Sequence, residues 1–112
     1  MNESQALTSF AALAQETRLQ IVRILVRAGR KGMAAGAIAD AVGVSPSNVS
    51  FHLKELDRSG LIAPRREARS IIYTADYETL GGLIEFLMKD CCGGRAEICA
   101  PARNKTRNTR AA

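Results

Sequence analysis

Three cysteines carry the most distinctive chemistry in this chain. Cys91, Cys92 and Cys99 fall within nine residues, and the other positions of the 112-residue sequence hold none. Thiolates without a nitrogen or carboxylate partner suit a soft, thiophilic ion, and trivalent arsenic or antimony, which takes three sulfurs, fits best. A trivalent organoarsenical offers thiols two positions, for which Cys91 and Cys92 suffice. Zinc fits less well because it prefers four ligands.

Two alternatives for the cysteines stay open. Neighbouring thiols oxidise readily, which would make the segment a redox switch. The thiols can also be small apolar side chains at a helix end. An odd count with no signal-peptide pattern argues against a disulfide framework and favours free thiols in a reducing cytoplasm.

A second group of residues has the chemistry of DNA recognition. Ser45 is typical of a helix N-cap and Pro46 of the first helical position, so a helix is predicted to run to about Ser59. Its predicted inner face is Val49, Leu53 and Leu56. The predicted DNA-contacting residues are Ser47, Asn48, Ser50, Phe51, Lys54 and Arg58 on this helix and Arg65, Arg66 and Arg69 beyond it. We expect His52, which borders the apolar face, to be a packed core histidine.

The surrounding elements define a winged helix-turn-helix. Residues 35–42, ended by Gly43, predict the helix before the turn, and residues 61–67 and 70–75 predict a β-hairpin wing in which Pro64 favours an edge strand. Further helices are predicted over residues 3–14, 16–28 and 77–92. Leu7, Phe10, Ala11 and Ala14 form the predicted apolar face of the first helix; Leu80, Leu83, Ile84, Leu87 and Met88 form that of the last. The fold class is therefore mainly α with a small β-hairpin.

Charge and composition narrow the function class. The net charge is +5, but residues 93–112 contribute +4 of it, and local clusters remain at 27–31 and on the hairpin. We predict one domain over residues 1–92 and a basic, flexible tail over 93–112. No apolar run spans a bilayer, so no membrane partner is expected. An enzyme is not expected either, since the sequence offers no acid–base pair with a plausible pocket and no phosphate loop.

The segment VSPSNVSFHLKELDRSGLI (44–62) resembles the recognition helix and wing entry of the ArsR/SmtB family of bacterial metalloregulators, and LAQETRLQIVRIL (13–25) resembles that family's second helix. The resemblance covers about residues 5–92. It implies a cytoplasmic homodimer, formed through the first and last helices, that leaves its operator when a toxic metal or metalloid binds. The family's cysteine pair before the recognition helix is absent here, as are the histidine ligands of its last helix. Some arsenic-responsive members instead place cysteines at the end of that helix, as here.

The sequence therefore predicts a repressor that binds double-stranded operator DNA, has no constitutive cofactor, and is released by As(III), Sb(III) or a trivalent organoarsenical at Cys91, Cys92 and Cys99, as in arsenical resistance. A redox-responsive repressor of the same fold, or a winged-helix protein-interaction module, is the alternative.

Overall fold

The computed structural model describes residues 1–91, which form five helices and a small antiparallel sheet. The helices are α1 (Glu3–Leu13), α2 (Glu16–Ala28), α3 (Ala35–Val42), α4 (Pro46–Arg58) and α5 (Tyr77–Cys91). The strands are β1 (Met33–Ala34), β2 (Ile62–Glu67) and β3 (Ser70–Ala75), and a single 3-10 turn covers Gly29–Lys31. The predicted helices and hairpin are confirmed, and the predicted domain boundary near residue 92 stays a prediction.

The sheet has one strand more than the sequence predicted. Its order is β1-β3-β2, so β2, which contains Pro64, is an edge strand as expected. β1 pairs Met33 with Tyr73 and Ala34 with Ile72. A two-residue strand has no alternation to read, which is why the pattern did not reveal it.

Helix α2 is at the centre of the core. Ile21, Val22 and Leu25 are buried on it, and they pack in one cluster with apolar side chains of α3, α4 and the sheet. Each large apolar side chain buried here contributes about 1.5–3 kcal/mol. The cluster fixes α4 and the hairpin against one scaffold.

Capping interactions set where the helices begin. Asn2 and Gln5 form a reciprocal capping box on α1. Gln15 caps α2, its side-chain oxygen accepting a hydrogen bond from the backbone N–H of Arg18 at 2.8 Å. Asp76 accepts one from the N–H of Thr79 at 3.0 Å at the start of α5.

Most of the apolar face predicted for α1 is left exposed by the described residues, with only Phe10 half-buried. The buried residues of α1 are Ala6, Ser9 and Ala12, whereas Leu7 of the predicted face is 62% exposed. Periodicity identifies an apolar face but does not say whether the same chain covers it. Within residues 1–91 no helix is long and apolar enough to span a membrane.

Candidate nucleic-acid interface

The turn between α3 and α4 is built from local signals. Gly43 ends α3 in the left-handed conformation with φ 69°, and its N–H donates to the carbonyl of Ala39 at 2.9 Å. Two residues later Ser45 caps α4, its Oγ accepting a hydrogen bond from the N–H of Asn48 at 3.3 Å. Pro46 occupies the first turn, where its missing N–H costs nothing. The result is two helices joined by a tight turn, as predicted.

Helix α4 divides into an inner and an outer face. Val49, Leu53 and Leu56 are at most 1% exposed and pack in the core, as predicted. All the α4 residues predicted to contact DNA are exposed: Ser47, Asn48, Ser50, Phe51, Lys54 and Arg58. The outer face is short and polar at its N-terminal end and cationic further along, which suits base edges in the major groove first and phosphates second.

Phe51 belongs to an aromatic and cationic group at the α2–α4 contact. Its ring is 56% exposed and meets the His52 ring edge-on, with centroids 5.6 Å apart. The guanidinium carbon of Arg18 lies 5.9 Å from the Phe51 centroid, within cation–π range. Phe51 therefore stands on the outer face with two neighbours restricting its ring.

His52 is not the core histidine that the sequence predicted. It is half-buried, and its Nδ1 accepts a hydrogen bond from Nε of Arg18 at 3.2 Å. Burial lowers the pKa of His52 below 6.5, and the nearby Arg18 charge lowers it further. A ring that accepts at Nδ1 is neutral and carries its proton on Nε2. His52 therefore fastens α4 to α2 as a neutral acceptor.

The wing is the β2–β3 hairpin, whose tip lies at Ala68 and Arg69. Ala68 has φ 56°, a conformation that glycine or asparagine adopts more easily at a hairpin turn. Arg66 and Arg69 are exposed, and neither has an ion-pair or hydrogen-bond partner among residues 1–89, whose side chains are described. Both side chains are available to a duplex that α4 enters.

Arg65 differs from the other two wing arginines because its guanidinium has partners within the chain. Nη1 donates to the carbonyl of Arg30 at 3.0 Å and Nη2 to the carbonyl of Lys31 at 3.1 Å. Nη2 also forms an ion pair with Glu67 at 3.0 Å. The sequence predicted a DNA contact here; the structure places Arg65 between the wing and the 29–31 turn.

The remaining cations of α4 differ in their neighbours. Arg58 forms an i,i+3 ion pair with Glu55 at 3.4 Å, with its side chain 73% exposed. Such a surface pair contributes at most about 1 kcal/mol, so it does not prevent Arg58 from turning to a phosphate. Lys54 has no charged partner in the described part of the chain.

The predicted cysteine site falls almost entirely outside the described residues. Cys91 is the last residue of α5, while Cys92 and Cys99 lie beyond residue 91. Among residues 1–89, whose side chains the structure describes, no three histidine, cysteine, aspartate or glutamate side chains are grouped as metal ligands. The cysteine site stays a prediction.

Two residues that organise this surface had no local signal in the sequence. Arg18 donates a hydrogen bond to His52, 34 positions further along the chain. The Tyr77 hydroxyl donates to the carbonyl of Val26 at 2.9 Å and so joins α5 to the end of α2. A pattern read along one helix does not detect such pairs. Arg18 stood out only as part of the family's second-helix motif.

Known helix-turn-helix proteins are similar to this chain in sequence and in structure. A family model described as a helix-turn-helix domain matches residues 13–65. The transcriptional activator HlyU of Vibrio cholerae is 32% identical over 91 residues, 81% of this chain and 82% of that protein. Its reduced form superposes with a TM-score of 0.60 at 30% identity, covering 81% of this chain and 93% of that one.

Two further structures extend the likeness. An ArsR-like transcriptional regulator from Rhodococcus sp. RHA1 superposes with a TM-score of 0.73 at 27% identity, over 89% of this chain and 92% of that chain. Mb0332 from Mycobacterium bovis, a homodimeric winged helix-turn-helix domain and possible ArsR-family regulator, gives 0.62 at 29% identity over 74% of this chain and 75% of that one.

The fold and its exposed α4 face define a winged helix-turn-helix DNA-binding protein rather than an enzyme. The chain belongs to the ArsR/SmtB family of winged helix-turn-helix transcriptional regulators.

Proposed function

We propose that this protein is a homodimeric repressor that leaves its operator when trivalent arsenic or antimony binds Cys91, Cys92 and Cys99. The observation that carries the proposal is the concentration of every thiol of the chain within nine residues at the end of α5. The dimer, the DNA contact and the effector site are each proposed from a separate part of the molecule.

The proposed dimer rests on a stripe of apolar side chains that the described residues leave uncovered. Leu7 on α1 is 62% exposed, and Ile84 and Leu87 on α5 are 63% and 41% exposed. α1 and α5 pack against each other, and we assign these exposed side chains to one surface. Apolar surface of this kind marks a protein contact more often than a solvated face. The homodimeric state of Mb0332 supports a dimer, though it does not identify the surface.

The proposed DNA contact follows from the outer face of α4 together with twofold symmetry. Two α4 helices related by a dimer axis enter successive major grooves, so half-sites lie about one helical turn or a small multiple apart. Ser47, Asn48, Ser50 and Phe51 face base edges. Lys54 and Arg58 face phosphates, which position the protein without reading the sequence.

The effector site begins where the apolar stripe ends. Cys91 follows Leu87 by four residues, one helical turn, so a metalloid bound there lies next to the proposed dimer contact. Drawing the following segment onto this end of α5 shifts the helix in the interface and changes the separation of the two α4 helices. A coupling of about 1–3 kcal/mol, or 5–150-fold in affinity, is ordinary for such a change.

The test is an anisotropy titration of the reduced protein on its own upstream region, with arsenite, methylarsenite, zinc and diamide added in turn. We expect stoichiometric arsenite to release the DNA, and Cys91→Ser and Cys92→Ser to bind DNA normally but to resist release. Cys99→Ser distinguishes the two effectors, because arsenite takes three thiols and methylarsenite takes two. This variant should respond less to arsenite and should respond normally to methylarsenite. Normal release of the Cys91→Ser and Cys92→Ser proteins would refute the site.

A thiol redox response is the second candidate function. It is favoured by the adjacency of Cys91 and Cys92 and by the likeness to HlyU of Vibrio cholerae, one structure of which is described as reduced. Release by diamide, reversal by a dithiol and indifference to arsenite would select this function over the metalloid response.

A further inference from the structure

The sequence holds a cationic segment for which the recognition helix and the wing do not account. Residues 18–39 contain Arg18, Arg23, Arg27, Arg30 and Lys31 and no acidic residue. Arg30 and Lys31 lie in the 3-10 turn Gly29–Lys31, which we name the basic turn. Both are exposed, and neither side chain has a hydrogen-bond or ion-pair partner within residues 1–89.

The basic turn is attached to the wing through its backbone. Arg65 of β2 donates to the carbonyl oxygens of Arg30 and Lys31 at 3.0 and 3.1 Å. Two charge-assisted hydrogen bonds from one planar guanidinium fix orientation as well as distance. These bonds use only backbone carbonyls, and the side chains of Arg30 and Lys31 remain exposed.

The same guanidinium also neutralises the one acidic side chain of the wing. Glu67 pairs with Arg65 at 3.0 Å, and no other carboxylate occurs between residues 62 and 75. Without this pair Glu67 would repel a phosphate close to Arg66 and Arg69. Arg65 therefore offsets the negative charge of Glu67 on the wing, and its hydrogen bonds hold the basic turn beside the wing.

We propose that the basic turn is a second phosphate-binding element, held beside the wing by Arg65, which extends the DNA contact outward from each half-site. The proposal rests on the DNA binding argued above. Arg65 lies three residues before Ala68 at the wing tip, about 10 Å along the strand. Since one turn of duplex rises about 34 Å, a duplex that touches the tip is long enough to reach the basic turn as well.

The experiment compares Arg30→Gln and Lys31→Gln with Lys89→Gln, a matched loss of one charge on α5. Each protein is titrated, between about 50 and 200 mM salt, against a duplex selected by the wild type and the same duplex with longer flanks. In a dimer each lost contact counts twice, so Arg30→Gln and Lys31→Gln should each lower the slope of log K against log salt by about two units. Base preference should not change.

The flanks provide the second readout. The wild type should bind the longer duplex about tenfold more tightly at low salt, and Arg30→Gln with Lys31→Gln should lose that advantage. Arg65→Gln, with both turn cations intact, should lose part of it. Circular dichroism melting verifies that each variant is folded.

If Arg30→Gln and Lys31→Gln have the same slope of log K against log salt as Lys89→Gln, the basic turn does not bind phosphate. That result would leave the proposed operator binding intact. A wild type that prefers no duplex over random DNA would overturn the proposed function itself. Weaker binding with an unchanged salt slope and no flank effect would mean that the turn acts only on wing stability, and would also refute the proposal.

Discussion

Gly32 approaches Tyr73 so closely that a Cβ placed on the glycine would lie 2.5 Å from the Tyr73 carbonyl oxygen. The methyl groups of Thr74 and Ile72 would lie 2.7 and 2.8 Å away. This contact lets the chain pass from the basic turn into β1 and pair with β3, and through β3 it supports the wing.

Gly32→Ala should therefore destabilise the fold more than the same change at Gly29. Both glycines have positive φ, 70° and 68°, with extended ψ, a region that costs a side chain about 1–3 kcal/mol. A Cβ at Gly29 would meet nothing within 4 Å. We expect Gly32→Ala to cost about 1–3 kcal/mol more than Gly29→Ala, measured by urea denaturation at one protein concentration. Equal losses would show that the sheet adjusts to a methyl group.

The Arg18–His52 hydrogen bond predicts a dependence of stability on pH. Burial and the Arg18 charge lower the pKa of folded His52, while the unfolded value is near 6.5. Just below 6.5 the unfolded chain binds more protons than the folded one. The contribution of His52 to stability is thus complete above 6.5 and is lost as the pH falls toward the folded pKa.

Denaturation midpoints between about pH 8 and 5 measure this loss. His52→Gln, which does not titrate in that range, should show a flatter profile than the wild type. Arg18→Gln should move the folded pKa of His52 back toward 6.5, which a proton titration by NMR reports. A profile unchanged in His52→Gln would place the pH sensitivity elsewhere.

Local interactions shape the parts of the fold that the sequence predicts, and distant ones shape the rest. Ser45, Pro46 and Gly43 act within one turn of the residues they affect, so α4 and its two faces were predictable. Arg18 and Arg65 act on residues 34 and 35 positions away, and no periodicity along one segment contains that information. The sequence predicts the apolar face of α1, but Leu7 on that face stays exposed in the described part of the chain, and periodicity does not say what covers it.

Ser45 and Ser47 separate helix stability from DNA recognition in α4. Ser45→Ala removes the cap on Asn48 and should cost about 1 kcal/mol of stability. Ser47→Ala, two residues away on the exposed face, should change stability by less than about 0.5 kcal/mol. It should weaken operator binding by about tenfold, because the proposed dimer loses two hydrogen bonds of about 0.5–1.5 kcal/mol each.

Thermal melting and anisotropy on the same samples distinguish the two serines. If Ser47→Ala binds as tightly as the wild type, the N-terminal end of α4 does not read bases through this hydroxyl. A loss of stability at Ser47 larger than at Ser45 would contradict the cap assignment.

The apolar stripe on α1 and α5 predicts the effect of a charge placed there. Ile84 is 63% exposed in the single chain, so Ile84→Glu should leave the folded monomer intact. In the proposed dimer the same carboxylate is buried against apolar side chains, a cost of several kcal/mol that separates the subunits. Ile71 on β3, which is 43% exposed, provides the matched control because it lies on the wing.

Sedimentation velocity should show Ile84→Glu as a monomer and Ile71→Glu as a dimer. The monomer should also lose most of its operator affinity, since each half-site is then bound alone and the gain from linking two sites disappears. A dimeric Ile84→Glu protein would place the subunit contact on another surface. It would also remove the route by which a ligand at the end of α5 changes the spacing of the two recognition helices.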